Sequence, residues 1–432
     1  MTHGSRNVRV PALARVEGEG GLEIVVEDGR VAQARLDIYE PPRFFEALLR
    51  GRQYTEPPDI TARICGICPV AYQMSACQAI EDACGASVPQ RIRDLRRLLY
   101  CGEWIESHAL HVYLLHAPDF LGYDSGIDLA RDYPDIVSRG LRLKKAGNRL
   151  MEVVGGRSVH PVNVKVGGFY KAPAARDLDT LRPQLEHARA DAEATLEWVA
   201  GFDFPDFDRD YEFVALRHPD QYPITEGRIT SASGLDITPA EYDRHFTEFQ
   251  VAHSTALHSV LEGRTYLTGP LARYNLNWAR LPAGIQRAAR AAGLQATCAN
   301  PFRSIVVRAV ELLFACDEAL RLITGYVPPD PPAATVTPRA ATGYGCTEAP
   351  RGLLYHRYAI TRDGTITDAK IVPPTSQNQR AIEADLTDFA ATRLAMDLHQ
   401  LTHECEQAVR NHDPCISCAA HFLDLRITAK RT

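Results

Sequence analysis

The chain has 432 residues, 45% of them apolar and 24% charged, with a formal net charge of −6. This is the composition of an ordinary globular protein large enough for a sizeable core. The acidic balance and the lack of any Lys/Arg run argue against a nucleic-acid surface, and no stretch reaches the roughly 18 apolar residues of a membrane span. The first residues, Met1-Thr2-His3-Gly4-Ser5-Arg6, lack the apolar segment of a secretory leader, which points to the cytoplasm.

In chain order, alternation between Val8 and Tyr39 predicts strands. Residues 22–26 and 31–36 flank Glu27-Asp28-Gly29-Arg30, and Asp-Gly is a hairpin signal. Arg15-Val16-Glu17-Gly18 lies just before it, and on pattern alone Glu17 reads as a solvated carboxylate on an edge strand. Residues 44–50 predict a short helix carrying Glu46, and longer helices are expected over 70–83 and 89–116. In the second of these, His108 and His111 sit three apart, placed either to share a ligand or, more commonly, to pack in a core. Pro118-Asp119 is expected to end it. Further helices are predicted over 133–154, 180–200, 239–261 and 301–323. The third opens on Thr238-Pro239-Ala240-Glu241, a capping box with proline in the first turn. Short strands are expected within 202–236, and Val327-Pro328-Pro329-Asp330-Pro331-Pro332 reads as an extended connector. A second hairpin is predicted over 353–360 and 366–372 around Asp363-Gly364, then helices over 378–396 and 397–410. The fold class is therefore mainly α with small β hairpins near both ends.

Eleven cysteines are present, and two pairs have the Cys-x-x-Cys spacing that lets neighbouring sulfurs reach one metal. Cys65 and Cys68 lie in Arg63-Ile64-Cys65-Gly66-Ile67-Cys68-Pro69; Cys415 and Cys418 lie in Asp413-Pro414-Cys415-Ile416-Ser417-Cys418-Ala419-Ala420-His421. Four thiolates form a soft ligand set, suited to structural zinc, an iron–sulfur cluster or another thiolate-bound transition metal. The other seven cysteines read as buried free thiols of a reducing compartment.

The flanking residues resemble the two metal-binding signatures of the nickel–iron hydrogenase large subunit. The resemblance implies reversible heterolytic oxidation of dihydrogen, most like the cytoplasmic bidirectional NAD(P)-linked, sulfhydrogenase-alpha branch. It implies nickel held by Cys65, Cys68, Cys415 and Cys418, with Cys68 and Cys418 shared with an iron that carries cyanide and carbonyl. Ala349-Pro350-Arg351-Gly352 is similar to the family segment whose arginine hangs over the metals, and Asp119 and Asp413 match the acids that fix it. Glu17 matches the carboxylate that takes protons from Cys415. Glu46 and His421 match ligands of a magnesium or iron ion near the C-terminus. Thr375, in Ile371-Val372-Pro373-Pro374-Thr375-Ser376-Gln377-Asn378, belongs to the segment near the iron; Pro374 replaces a hydroxyl residue there, and Tyr72 stands where several relatives carry histidine.

No further cysteine cluster and no Gly-rich dinucleotide fingerprint is present, so electrons must leave through another chain. The resemblance implies an iron–sulfur small subunit and flavin/NAD(P) diaphorase subunits. It also implies nickel-insertion proteins and an endopeptidase that removes residues 422–432, leaving 1–421 as a single catalytic domain. The competing readings are a complex I-like relative, which lacks the nickel cysteines, and a zinc-structural protein, which needs neither the arginine nor the paired acids.

Overall fold

The computed structural model describes residues 6–41 and 43–421. Strands Arg6–Val10, Gly20–Glu27 and Arg30–Ile38 form an antiparallel sheet in chain order. Its hairpin turns at Asp28 and Gly29, both at positive φ (50° and 73°), as Asp-Gly predicts. Val8, Ile24 and Leu36 bury one face of this sheet against Leu386, Phe389, Leu401 and Cys405. Those partners come from the helices Pro374–Ala391 and Leu398–Arg410, so the beginning and end of the chain share one core. Each such aliphatic side chain contributes about 1.5–3 kcal/mol on leaving water.

The centre is a helical pack. Gln90–Leu110 lies against Pro134–Gly155 and Ser304–Thr324, and the last also packs on Arg182–Ala200. Trp104 is fully buried there, edge-on to Tyr222 and Phe314. The helix expected to stop at Pro118 does not. It widens into a π-type segment at His111–His116 and continues as Ala117–Leu121, because a proline in a first turn forfeits no intrahelical bond. Gly122, at φ 74°, is the residue that ends it.

The helix expected over 239–261 is absent. Its capping box forms, with Glu241 accepting from both the backbone N–H and the hydroxyl of Thr238 at 2.9 Å. It opens only the turns Pro239–Glu241 and Tyr242–His245, after which Phe246–Phe249 pairs antiparallel with His258–Leu261. Burial decides this: Tyr242 stacks between Phe246 and Tyr355, with centroids 4.3 and 4.1 Å away, in a cluster that also holds Leu261 and Tyr266. Packing of this kind outweighs a local helix-start signal.

The second hairpin, Gly352–Ile360 with Ile366–Val372, forms as expected but gains an unforeseen strand, Ala341–Ala349. Gly343 and Gly345 interrupt its apolar pattern because they press on the helix Pro69–Cys84. A Cβ at Gly343 would lie 2.1 Å from the Ala79 carbonyl oxygen. Helices Pro270–Asn277 and Ala283–Ala291 were also unforeseen, and the helix expected from residue 378 starts at Pro374.

Candidate active site

The two Cys-x-x-Cys segments meet although Cys65 and Cys415 are 350 residues apart. All four cysteines are buried and free, with their sulfurs within 4.8 Å of one another. Cys65 Sγ lies 3.6 Å from Cys415 Sγ, and Cys68 Sγ 3.7 Å from Cys418 Sγ. Proline at the first position of the helix Pro69–Cys84 leaves Cys68 at its N-cap, at the positive end of the helix dipole. Glu103, fully buried, accepts from the Val70 and Ala71 N–H groups at 2.6 and 3.1 Å and closes that end. The Ile67 and Cys68 N–H groups donate to Cys65 Sγ, each at 3.3 Å. Hydrogen bonds from the Cys415, Cys418 and Cys68 thiols, with the charge of Arg351, hold the Cys65 thiol well below its ordinary range; burial pushes Cys415 up.

Arg351 occupies the two-residue turn between Ala341–Ala349 and Gly352–Ile360. Its Nε donates to the Asp413 carbonyl at 2.9 Å and its Nη2 to Asp413 Oδ1 at 3.2 Å, leaving Nη1 buried without an acceptor among the described residues. Burial opposes its charge, but Asp413 and the sulfurs of Cys415, Cys68 and Cys65 override that and raise its pKa well above the usual value. The turn is itself braced. Arg273, wholly buried against Glu311 and Glu348, donates to the Ala349 and Pro350 carbonyls at 2.8 Å each.

Asp119 corrects the expectation drawn from resemblance. It does not hold Arg351; its carboxylate takes the Arg410 Nε and Nη2 at 2.8 Å each and Arg15 Nη2 at 2.5 Å. Arg410 precedes the second cysteine segment and Arg15 precedes Glu17, so Asp119 ties together the two backbone approaches to the site. Burial would raise its pKa, but Arg410 and Arg15 hold it below the usual carboxylate value. His108 and His111 share no ligand: His108 faces Glu311 at 3.1 Å, and His111 Nε2 meets the Arg410 carbonyl at 2.9 Å.

Glu17 reaches the sulfurs on a different side. Its backbone bridges to Cys415 in parallel sense, the Ile416 N–H donating to the Glu17 carbonyl at 2.9 Å. Its Oε2 lies 3.0 Å from Cys415 Sγ and accepts the Ser417 N–H at 3.0 Å. Ser417 Oγ donates to Glu40 Oε2 at 3.0 Å, and Glu40 pairs with Arg43 at 2.7 Å. Sequence reading missed Glu40 and Ser417; Ser417 stood inside the motif, but Glu40 carried no signal beyond a lone acid before Pro41. Thr375 Oγ1 accepts the Cys415 N–H at 3.0 Å. Tyr72 is buried, its hydroxyl without a partner among the described residues, beside all four cysteines.

At the C-terminal side, His421 Nε2 lies 3.0 Å from Glu46 Oε2, and Glu46 Oε1 accepts the Ile371 N–H at 2.7 Å. The His421 N–H donates to the Thr255 carbonyl at 2.9 Å. Glu248 lies close by, its pKa pushed up to about 7 by burial.

Comparison with known proteins agrees with this geometry. Residues 43–129 and 263–421 match the family described as Nickel-dependent hydrogenase. The chain is 33% identical over 425 residues to Sulfhydrogenase 1 subunit alpha of Pyrococcus furiosus, covering 97% of this chain and 98% of that one. It is 26% identical over 468 residues to the NAD-reducing hydrogenase HoxS subunit beta of Cupriavidus necator, covering 97% and 95%. A crystal structure of an NAD+-reducing [NiFe]-hydrogenase in the H2-reduced state superposes with a TM-score of 0.85 at 28% identity, over 96% of this chain and 99% of that one.

This chain belongs to the nickel-dependent hydrogenase family. It is the catalytic subunit of a nickel–iron hydrogenase, with nickel and iron at its active site, and the zinc-structural and complex I-like alternatives are not favoured. The residues fit that centre: four soft sulfur donors converge, a buried cation offsets their charge, and Arg351 Nη1 is left without an acceptor beside them. Among the described residues no helix is long and apolar enough to cross a membrane.

Proposed function

We propose that this subunit oxidises dihydrogen reversibly in a cytoplasmic complex and passes the electrons, through an iron–sulfur small subunit and a flavin-bearing diaphorase, to NAD(P). The observation that carries the reading is Glu17 Oε2 at 3.0 Å from Cys415 Sγ, within a closed set of four sulfurs. Cys65, Cys68, Cys415 and Cys418 would hold the metals. Bound there, the metal pair supplies an electron-rich yet Lewis-acidic centre able to polarise dihydrogen.

The chain's own groups do the rest. Dihydrogen yields two protons and two electrons; a proton held at Cys415 Sγ passes to Glu17 Oε2, a separation within the reach of direct proton transfer. Beyond Glu17 lies Glu40, joined to it through Ser417, whose N–H donates to Glu17 and whose hydroxyl donates to Glu40. Arg351, fixed by Asp413, aims Nη1 as a hydrogen-bond donor, the role a cyanide on iron would accept. Pro350 shapes the turn, and the Thr375 hydroxyl fixes the Cys415 backbone by accepting its N–H. Glu46 and His421 would take a magnesium or iron ion.

Supporting the acceptor assignment, relatives over nearly the full length include an NAD-reducing hydrogenase. The test is hydrogen-dependent reduction of NAD and NADP by the complex purified with its maturation machinery, with nickel counted per chain. Nickel-loaded complex that reduces dyes but neither nucleotide would remove the NAD(P) assignment alone. We also read 1–421 as one catalytic unit and 422–432, which lie outside the described residues, as the peptide removed on maturation. Mass spectrometry of active enzyme is expected to find a chain ending at His421; full-length active chain would defeat that reading.

A further inference from the structure

A second group of metal-ligating side chains lies away from the sulfurs. His253, His258 and Glu383 each offer a ligand atom, and the three atoms lie within 4.8 Å of one another. They come from separate parts of the fold: the segment between Phe246–Phe249 and His258–Leu261, the second of those strands, and the helix Pro374–Ala391. His253 Nε2 is 2.7 Å from Glu383 Oε1, and His258 Nδ1 is 4.0 Å from Glu383 Oε2. The Leu36 N–H, on the strand Arg30–Ile38, donates to Glu383 Oε1 at 3.1 Å and fixes that carboxylate.

We propose that His253, His258 and Glu383 form a site for a divalent transition-metal ion of the zinc class. Two imidazoles and a carboxylate are the borderline nitrogen and oxygen donors such ions prefer, in contrast to the all-sulfur set of the active site. Ligand atoms around tetrahedral zinc lie about 3.3 Å apart, given bond lengths of about 2.0–2.2 Å. The 2.7 Å contact must therefore open, and the 4.0 Å contact close, each by well under an ångström. His258 is buried, and its Nε2 is without a hydrogen-bond partner among the described residues. Arg380 opposes a cation here, and the Glu383 carboxylate offsets it. The bound ion would pin the segment carrying Thr255, whose carbonyl holds the His421 N–H and whose own N–H donates to Ile38.

The test is equilibrium dialysis of the nickel-loaded complex against Zn2+, with metal counting and zinc X-ray absorption. The expected result is one additional zinc per catalytic subunit with a nitrogen/oxygen shell at about 2.0–2.1 Å and no sulfur at about 2.3 Å. That zinc should be lost in His253→Ala and in Glu383→Gln, both retaining parental nickel content and hydrogen-dependent dye reduction. No additional zinc, zinc equally retained by both variants, or a sulfur shell from zinc in the cysteine site would each overturn the proposal. Should one variant lose nickel, the other decides.

Discussion

Arg351 and Glu17 both act on the same four sulfurs, but from surroundings of different kinds. Arg351 and Asp413 have side chains only 2% and 3% exposed, and every bond they make fixes one geometry. Glu17 is half-buried and leads to Ser417, Glu40 and Arg43, whose guanidinium side chain is 31% exposed. The first set holds a charge where water cannot screen it, so a small displacement matters. The second set is polar and opens towards solvent. A site that must separate charge needs both: a rigid dry wall and a leaky one.

The largest effect should follow from blocking the leaky side. Glu17→Gln keeps shape and can still accept the Ser417 N–H, but an amide cannot take a proton near neutral pH. Hydrogen oxidation and hydrogen–deuterium exchange with solvent should each fall about 10²–10⁴-fold at unchanged nickel content. Near-parental exchange in such a variant would mean that protons leave elsewhere and would dissolve the contrast.

Altering the rigid side comes next. Arg351→Lys preserves charge but loses the planar fork that reaches Asp413 with two nitrogens while leaving a third for another acceptor. Turnover in dye reduction should drop at least about 10²-fold with nickel retained and the infrared bands of the iron's diatomic ligands shifted only slightly. Activity within a few-fold of the parent would reduce Arg351 to charge balance.

Ser417→Ala sharpens the comparison further out. It deletes the hydroxyl that donates to Glu40 without touching the backbone N–H that Glu17 accepts. Losing one hydrogen-bonded station should slow solvent exchange by about tenfold, the equivalent of about 1.4 kcal/mol. Unchanged exchange would leave Glu40 as an anchor for the segment and nothing more.

The smallest effect concerns stability in acid. Burial lowers the pKa of His108 to about 4 and of His116 and His356 to about 3. Above about pH 6.5 these histidines are neutral in both folded and unfolded chains. Below it the unfolded chain takes up protons that the folded chain refuses, so stability falls as pH drops towards 4, by up to about 1.4 kcal/mol per pH unit for each histidine. His116→Phe, in a pocket already faced by His111 and Phe120, should reduce the acid slope by about one proton in denaturation measurements. An unchanged slope would show that water reaches His116 in the folded chain.

The sequence made the two cysteine segments, both hairpins and most of the long helices legible because their signals are local: Asp-Gly turns, apolar spacing, a proline in a first turn. What it could not display were decisions made at a distance. Asp119 reaches Arg410 across 291 positions, and nothing beside either residue distinguishes that pairing from one with Arg351. The capping box at Thr238 was genuine, yet the aromatic stack of Tyr242, Phe246 and Tyr355 overrode the helix it announced. Glu103 was one acid on an expected helix and Arg273 lay in a stretch with no expected element; only burial put them under the first cysteine segment and the Arg351 turn.

The separation of 350 residues between Cys65 and Cys415 sets a clock for synthesis. A ribosome adds about 5–20 residues per second, so the first cysteine pair waits roughly 20–70 s for its partners. During that interval Glu17 has no Cys415 to meet and Cys65 has no neighbouring thiol from the second segment. The exposed pair is then a ready target for oxidants and for stray thiophilic ions. Protection of a half-built centre in the nascent chain is thus a demand placed on the cell by the wiring of this fold.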